Sequence, residues 1–324
     1  MTERAEAHRL LEEKIAALRA EIGRAFIGHA DVVDAVVIAL LAGGHVLLEG
    51  VPGLGKTLLV RALSQAFGGK FSRIQFTPDL MPSDVSGHAV YDMQSETFRL
   101  RRGAVFANLL LADEINRAPA KTQAALLEAM QENQVTIEGK SLPLPAPFMT
   151  VATQNPVEHE GTYPLPEAQL DRFLFKVLID YPDHDVELRI VESVTNNRVG
   201  ESLHVDDVRQ VMTAEDVIAA QKLVAATQMA PAVIDYAVRI ARETRQVSGI
   251  RMGAGPRGPI SIVRAARAAA VLEQRAFVTP DDVRKVAIPA LRHRIALAPE
   301  LEIEAYHPDD ILANLLEKVS APRQ

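Results

Sequence analysis

Apolar positions near the start of the chain recur at helical spacing. Ile15, Leu18 and Ile22 fall on one side of a helix, which predicts an amphipathic helix that packs on its own domain. A second helix is predicted to end at the glycine pair that begins at Gly43. The longest alanine-and-aliphatic run, residues 35–42, is much shorter than the ~20 apolar residues of a membrane-spanning helix. We therefore expect an amphipathic first helix, a buried second helix and no membrane segment.

Five short apolar runs follow, and predicted helices separate them. Continuous apolar runs of this length are typical of strands that are buried on both faces of a sheet. Their alternation with helices predicts an α/β fold with a parallel sheet covered on both sides. The five runs are HVLLEG, FSRIQF, ANLLLADE, PFMTVAT and FLFKVLID.

Two inserts interrupt this alternation. Residues 89–103 are predicted to form a hairpin that turns near Ser95–Glu96, and residues 135–144 a second hairpin that turns at Gly139–Lys140. Because both inserts lie between core elements of the chain, we expect them to project from the sheet.

The pattern becomes helical beyond the run YPDHD at residues 181–185. Five apolar segments with helical spacing and short breaks follow it. One of them begins with Thr279 as the N-cap and Pro280 at the first helical position, which is a clear helix start. We therefore expect a core domain over residues 1–181 and a helical domain over residues 182–324.

Composition narrows the possible functions. The 324 residues carry a formal net charge of −7, contain no tryptophan and are only 5% aromatic, so neither a general basic surface nor base-stacking platforms for nucleic acid are expected. The absence of cysteine excludes disulfides, thiolate metal sites and cysteine nucleophiles. The charged N-terminus lacks the apolar centre of a signal peptide, and we expect a cytoplasmic protein.

The run GVPGLGKT fits the phosphate-loop pattern G-x-x-x-x-G-K-[ST] between a predicted strand and a predicted helix. Glycines allow backbone N–H groups to wrap a phosphate, and the helix N-terminus adds positive potential. Lys56 can reach the β- and γ-phosphates of ATP, and Thr57 can ligate Mg²⁺. The alternative is a chance match on a tight turn. The predicted nucleotide-binding residues here are Gly50, Val51, Pro52, Gly53, Leu54, Gly55, Lys56, Thr57 and Leu58.

Two later strands end in polar side chains that complete this chemistry. The strand LLLADE ends in Asp113, which would hold Mg²⁺, and Glu114, which would take the proton from an attacking water. The strand PFMTVAT leads to Asn155, whose amide can orient that water. For the acids the alternative is an exposed strand end, and for Asn155 it is ordinary Asn-Pro turn chemistry. We predict hydrolysis of ATP.

These residues belong to longer motifs that closely resemble the MoxR family of AAA+ ATPases. The most specific are DEINRAPAKTQ and EGTYPLPEAQLDRF, and the resemblance runs from about Phe26 to His293. It implies an AAA+ core with strand order 5-1-4-3-2, a helical lid, a helix-2 insert and a pre-sensor-1 hairpin. It also implies homo-oligomeric rings, usually hexamers. Partners with von Willebrand factor A domains, and maturation of metal cofactors, are implied as well.

The resemblance assigns roles to further residues. Asn155 matches sensor 1, Arg172 the arginine finger and Arg257 sensor 2, and the segment Ile27–Gly28 matches the stretch that packs on the adenine. Arg172 follows Asn155 and precedes the fifth strand, so it is expected on the far side of its own phosphate loop. It would then act on the nucleotide of a neighbouring subunit.

The motif around Arg257 departs from the family pattern, because glycines stand at Gly255 and Gly258. We expect the lid helix to form in spite of Pro259, with a looser backbone around Arg257. ATP is expected to bind between the core and the lid of one subunit.

Several alternatives stay open. Arg117 is either a contact in the site or a surface ion pair, and the hairpin arginines favour a solvated face over a basic rim. Those arginines are Arg99, Arg101 and Arg102. A ring motor that acts on nucleic acid and a nucleotide-dependent scaffold are the alternative functions.

Overall fold

The computed structural model of the protein describes residues 3–94, 96–156, 161–195, 205 and 207–322. Ser95 of the first predicted turn and residues 157–160 of one family motif lie outside the described residues. The helices are α1 Glu3–Ala25, α2 Ala30–Leu41, α3 Lys56–Ala66, α4 Pro82–Ser86, α5 Ala120–Glu132, α6 Glu167–Leu170, α7 His184–Thr195, α8 Ala214–Ala226, α9 Pro231–Glu243, α10 Arg257–Leu272, α11 Pro280–Leu291, α12 Pro299–Ile303 and α13 Pro308–Lys318. The strands are β1 Val46–Glu49, β2 Phe71–Gln75, β3 Gly87–Asp92, β4 Thr97–Arg102, β5 Leu109–Asp113, β6 Gln134–Ile137, β7 Lys140–Pro143, β8 Met149–Gln154, β9 Phe175–Leu178, β10 Ile250–Met252 and β11 Ala296–Leu297.

The central sheet has five parallel strands in the order β2-β5-β8-β1-β9. Counted along the chain as the five predicted strands, this is the order 5-1-4-3-2, so the predicted α/β fold and its topology are confirmed. All carboxyl ends meet at one edge, the carboxyl edge, which includes Gly50, Glu114 and Asn155. The opposite edge, the amino edge, includes His45 and Leu174. At roughly 3.3 Å per residue, about 16 Å of strand separates His45 from Gly50.

Apolar side chains fill both faces of the sheet. Along β1, Val46 and Leu48 belong to one buried cluster and Leu47 to another, as the alternation of a strand requires. The first cluster includes Ile15 of α1 and continues into Tyr236 of α9. The hydrophobic core is therefore continuous across residues 181 and 182, and the division into two domains at that point stays a prediction.

The two predicted hairpins are present as β3–β4 and β6–β7. The second turns at Glu138 and Gly139, whose φ angles are +49° and +72°, one residue earlier than predicted. A two-residue turn with both φ angles positive matches the twist of the flanking strands, which explains why the turn centres there.

The part of the chain after residue 182 contains one small sheet that the helical pattern did not predict. Its strands, β10 and β11, are antiparallel and only three and two residues long. Strands of this length leave no periodic pattern in a sequence, so pattern analysis missed them. None of the helices in the described ranges is long and apolar enough to cross a membrane.

Candidate nucleotide site

The segment between β1 and α3 has the geometry of a phosphate loop. Gly53 and Gly55 adopt left-handed backbone conformations, with φ angles of +88° and +73°, which L side chains rarely adopt. A Cβ atom on Gly53 would meet no atom within 4 Å. The left-handed backbone conformation, and not a lack of space, therefore favours glycine at this position. Gly55 is the N-cap of α3, and the free N–H groups of that helix therefore begin at the loop.

Lys56 turns back over this loop, because its Nζ donates to the carbonyl oxygen of Gly50. Burial lowers the pKa of Lys56, and the nearby carboxylates of Asp113, Glu114 and Glu49 act in the opposite direction. The ammonium group therefore lies among three acids at the carboxyl edge, where it can meet the charge of a phosphate.

Asp113 and Glu114 end β5 in a fixed arrangement with Thr153 of β8. The Thr153 hydroxyl donates to Oδ1 of Asp113 over 2.6 Å and accepts the backbone N–H of Glu114 over 2.8 Å. Glu114 has a φ angle of +54°, which is uncommon for a non-glycine residue and concentrates at functional sites. Thr153 was not predicted from the sequence; its signal is a hydroxyl near the carboxyl end of β8.

Two residues of β2 also contact these acids and were not predicted. Arg73 donates to Oδ2 of Asp113 over 2.7 Å, and Gln75 donates to Oε2 of Glu114 over 2.7 Å. Arg117 donates to the same Oε2 atom over 3.0 Å. It thus forms an ion pair, which was one of the two alternatives for this residue. Because β2 lies beside β5 and Gln75 pairs with Asp113 in the register, Arg73 and Gln75 lie within reach of the two acids.

Asn155 lies beside the phosphate loop. It follows Gln154, whose carbonyl oxygen accepts the backbone N–H of Gly50 over 3.4 Å, and its side chain is buried. The structure therefore brings Lys56, Asp113, Glu114 and Asn155 to one edge of the sheet.

A cavity of about 400 Å³ adjoins the loop and is large enough for a nucleoside. Ile27 lines it together with residues of α7. Gly28 is not part of the cavity wall. A Cβ atom there would come within 2.0 Å of Val186, so this glycine allows α7 to pack closely. The phosphate-loop residues in the cavity wall are Pro52, Gly53, Leu54, Gly55 and Leu58, and Val51 is not among them.

Arg172 and Arg257 lie elsewhere, in a cavity of about 370 Å³ at the amino edge. Its wall includes Gly43 and His45, which precede β1, whereas the phosphate loop follows β1. The structure thus does not bring these two arginines to the phosphate loop of their own chain. Gly258 is buried, and a Cβ atom on it would come within 3.1 Å of Leu291, so this glycine serves close packing at the start of α10.

Asp171 pairs with one arginine of α10 and with one that follows α11. Its Oδ1 accepts from Nε of Arg294 over 2.8 Å, and its Oδ2 lies 3.8 Å from Nε of Arg257. No ion pair between Asp171 and its neighbour Arg172 occurs in the parts of the chain that the structure describes. The half-buried guanidinium of Arg172 therefore faces the cavity without a local carboxylate that holds it.

Family models and relatives agree with this geometry. Residues 45–175 match the model of the ATPase family associated with various cellular activities (AAA), and residues 242–315 match an AAA lid domain. The chain is 43% identical to Chaperone MoxR1 of Mycobacterium tuberculosis over 94% of this chain and 81% of that one. This chain belongs to the MoxR family of AAA+ ATPases.

Two further proteins are similar over nearly their whole length. The uncharacterized protein YeaC of Bacillus subtilis is 45% identical over 94% of this chain and 93% of that one. A crystal structure from Cytophaga hutchinsonii superposes with a TM-score of 0.90 at 39% identity and covers 99% of this chain and 98% of that one. Membership in this ATPase family confirms that the chain binds nucleotide and hydrolyses ATP.

The residues present fit Mg²⁺ together with a nucleotide. Thr57 is the second residue of α3 beside the loop, and Asp113 ends β5 at the same edge of the sheet. Magnesium is commonly held by one or two protein oxygens while substrate phosphates and water complete its shell. The hydroxyl of Thr57 and the carboxylate of Asp113 are the donors that such a site requires.

Proposed function

We propose that this chain is a subunit of a homo-oligomeric ring, a hexamer by family resemblance, which hydrolyses ATP to remodel partner proteins. One observation carries the proposal. The phosphate loop lies at the carboxyl edge of the sheet, whereas Arg172 and Arg257 lie at the amino edge. A site that needs both groups is complete only where the carboxyl edge of one subunit meets the amino edge of the next.

The residues at the carboxyl edge take the roles expected from their chemistry. Lys56 binds the β- and γ-phosphates, and Thr57 and Asp113 hold Mg²⁺, which supplies charge neutralisation on the phosphates. Glu114 accepts the proton of the attacking water, and Oε1 is the oxygen that its bonds to Gln75 and Arg117 leave for this task. Asn155 orients the same water.

Arg172 and Arg257 act together on the nucleotide of the neighbouring subunit. They share one cavity wall, and Asp171 is the one acid among the residues of that wall. This differs from the expectation that ATP binds between the core and the lid of its own subunit. The lid helix α10 starts at the amino edge, so its arginine faces outward with Arg172. Guanidinium groups supplied in this way are worth roughly 10³–10⁵ in rate in related phosphoryl-transfer systems.

The β3–β4 hairpin is the surface through which the motor acts on its partner. Tyr91 and Phe98 stack edge to face at 5.3 Å and remain exposed, and Leu100 continues the same apolar face. Arg99 is paired with Asp92 on the other face. In line with the family resemblance, we propose that the partner carries a von Willebrand factor A domain and that its remodelling serves metal-cofactor insertion. A cytoplasmic location stays a prediction.

The proposal is tested by mixing two inactive variants. Arg172→Ala should retain ATP affinity and lose most turnover, and Lys56→Ala should lose nucleotide binding. In mixed rings, the intact loop of the Arg172→Ala subunit can meet the intact arginine of the Lys56→Ala subunit, and ATPase activity should return in part. The measurement is steady-state phosphate release as a function of mixing ratio, with co-purification of an untagged variant by a tagged one to verify that mixed oligomers form.

Arg242→Ala, at an exposed arginine of α9, is the control and should behave as the parent protein. Absence of any recovery in oligomers that are shown to be mixed would contradict the shared site. Loss of ATP affinity in dilute Arg172→Ala protein would place this arginine in the site of its own subunit.

A further inference from the structure

Three consecutive basic residues that follow α11 hold the segment in which Arg172 lies. Arg294 donates from Nε to Asp171 Oδ1 over 2.8 Å and from Nη2 to the Phe173 carbonyl oxygen over 2.6 Å. The same Nη2 reaches the carbonyl oxygen of Asp171 over 3.0 Å, and Nη1 reaches that of Leu174 over 3.2 Å. One guanidinium group thus binds the backbone on both sides of Arg172.

Arg294 is itself fixed. Its side chain is only 2% exposed, and Nη1 also donates to the carbonyl oxygen of Ala290 in the last turn of α11. Burial lowers the pKa of Arg294, and the carboxylate of Asp171 opposes that shift. A buried guanidinium group that donates both to the end of α11 and to residues 171–174 holds these two parts of the chain together.

His293 and Arg292 extend the contact. His293 has a pKa well below its ordinary value because it is buried, so its ring is neutral. Its Nε2 lies 3.1 Å from the carbonyl oxygen of Phe173, which can only accept, so Nε2 carries the proton. Arg292 donates to the carbonyl oxygen of Lys176 over 3.2 Å and to Asp309 of α13 over 2.6 Å. The contact therefore joins the end of α11, the start of α13 and the segment before β9.

Local interactions alone do not orient Arg172. Helix α6 has a single turn, and the local backbone bonds run from Arg172 to Gln169 over 3.2 Å and from Phe173 to Leu170 over 3.0 Å. These bonds hold the backbone of Arg172 and do not reach its guanidinium group. The carboxylate of Asp171, which could have held Arg172, is directed at the lid arginines instead. The direction of Arg172 thus depends on groups that follow α11.

We infer that Arg294 is the positioning residue for Arg172, so that the lid helix α11 sets where Arg172 points in the neighbouring site. This inference rests on the proposed function, because it assumes that Arg172 acts across a subunit interface. A displacement of α11 relative to the core moves the backbone of residues 171–174 with it. Lid movement in one subunit then changes hydrolysis at its neighbour, while nucleotide binding in its own loop is unaffected.

The first test replaces Arg294 with lysine, which keeps the charge and loses the forked donor set. Because small misplacements of catalytic groups cost up to about 10² in rate, we expect kcat to fall about 10- to 100-fold while KM and ATP affinity stay unchanged. Asp171→Asn, which weakens the bond to Nε, should lower kcat in the same direction but less. Arg275→Lys is the matched control, because Arg275 pairs with Asp282 at the other end of α11; its kcat should stay near that of the parent.

The second test uses mixed oligomers of the full-length protein and assigns Arg294 to one side of the interface. Arg294→Lys mixed with Lys56→Ala should regain ATPase activity, because an intact loop then meets an intact and well-placed arginine. Arg294→Lys mixed with Arg172→Ala should not, because both defects lie on the same side.

The possible results test the proposed function and the positioning role of Arg294 separately. Failure of Arg172→Ala to complement Lys56→Ala counts against the proposed function. If Arg172→Ala complements Lys56→Ala and Arg294→Lys also complements Arg172→Ala, the positioning role of Arg294 is overturned and the proposed function stands. Unfolding of both Arg294→Lys and Asp171→Asn, measured by thermal denaturation, also overturns it, because these residues would then serve the fold in general.

Discussion

The carboxyl and amino edges of the central sheet differ in charge and in how they are built. At the carboxyl edge, Lys56 lies among acids, and Asp113 and Glu114 are held by neighbouring strands. At the amino edge, arginines from the core and the lid surround the cavity, and Asp171 is the one acid in its wall. The carboxyl edge thus combines a lysine with carboxylates, whereas the amino edge is dominated by arginines.

The two edges also differ in the sequence distances that they join. Lys56, Asp113 and Asn155 each end or follow a strand, so the parallel sheet alone brings them together. The amino edge joins Arg172 to Arg294, more than a hundred residues later, through hydrogen bonds of a lid segment. The carboxyl edge therefore follows from strand topology, whereas the amino edge depends on how the lid packs against the core.

The largest change expected at the carboxyl edge alone is that of Glu114→Gln. Removal of the proton acceptor should lower turnover by about 10²–10⁴, the usual contribution of a general base, while ATP affinity stays near that of the parent. The measurement is single-turnover hydrolysis beside equilibrium nucleotide binding. Glu128→Gln, at an exposed glutamate of α5, is the control. Parent-like turnover in Glu114→Gln would remove this residue from the role of base.

Arg257→Ala tests whether the amino edge acts only across subunits. Loss of a charged hydrogen bond of about 1.5–3 kcal/mol should lower turnover about 10- to 100-fold in assembled protein. Nucleotide affinity of dilute, unassembled protein should not change, because Arg257 does not contact its own loop. Arg242→Ala serves again as control. Weaker nucleotide binding by the dilute Arg257→Ala protein would show that Arg257 serves its own subunit, which would break the division between the edges.

The smallest expected effect concerns acid stability at the amino edge. Burial lowers the pKa of His45 to about 4, below its unfolded value of about 6.5. Its Nδ1 accepts the backbone N–H of Thr150 over 3.0 Å and its Nε2 lies 3.0 Å from the Met130 carbonyl oxygen, so the neutral ring is required. The stability that it contributes is complete above pH 6.5 and is lost as the pH falls toward 4.

Between pH 7 and pH 5 this loss amounts to about 2 kcal/mol. His45→Gln can donate and accept in the same way without titrating, so its free energy of unfolding should fall less over that interval. Denaturant unfolding at both pH values measures the difference, with His184→Gln, at an exposed histidine, as control. Equal pH dependence of the His45→Gln and parent proteins would contradict this prediction.

The sequence predicted the fold and most of the carboxyl edge, because glycines, strand-end acids and apolar runs act over short distances. The five strands and both hairpins occur close to where they were predicted. Thr153, Arg73 and Gln75 were missed because each is a common polar residue in a strand, and its role depends on which strand lies beside it. The short β10–β11 sheet was missed because two or three residues carry no period.

Residue types along the chain account for the groups at the carboxyl edge. The left-handed φ angles at Gly53 and Gly55 and the acids at the end of β5 follow from local residue type and from the parallel arrangement of strands. The direction of the arginines depends instead on tertiary packing. Asp171 could have paired with Arg172 next to it, but the buried guanidinium of Arg294 takes that carboxylate. A buried charge must satisfy its donors at the nearest acceptors in space, and nearness in space is a property of the packed fold.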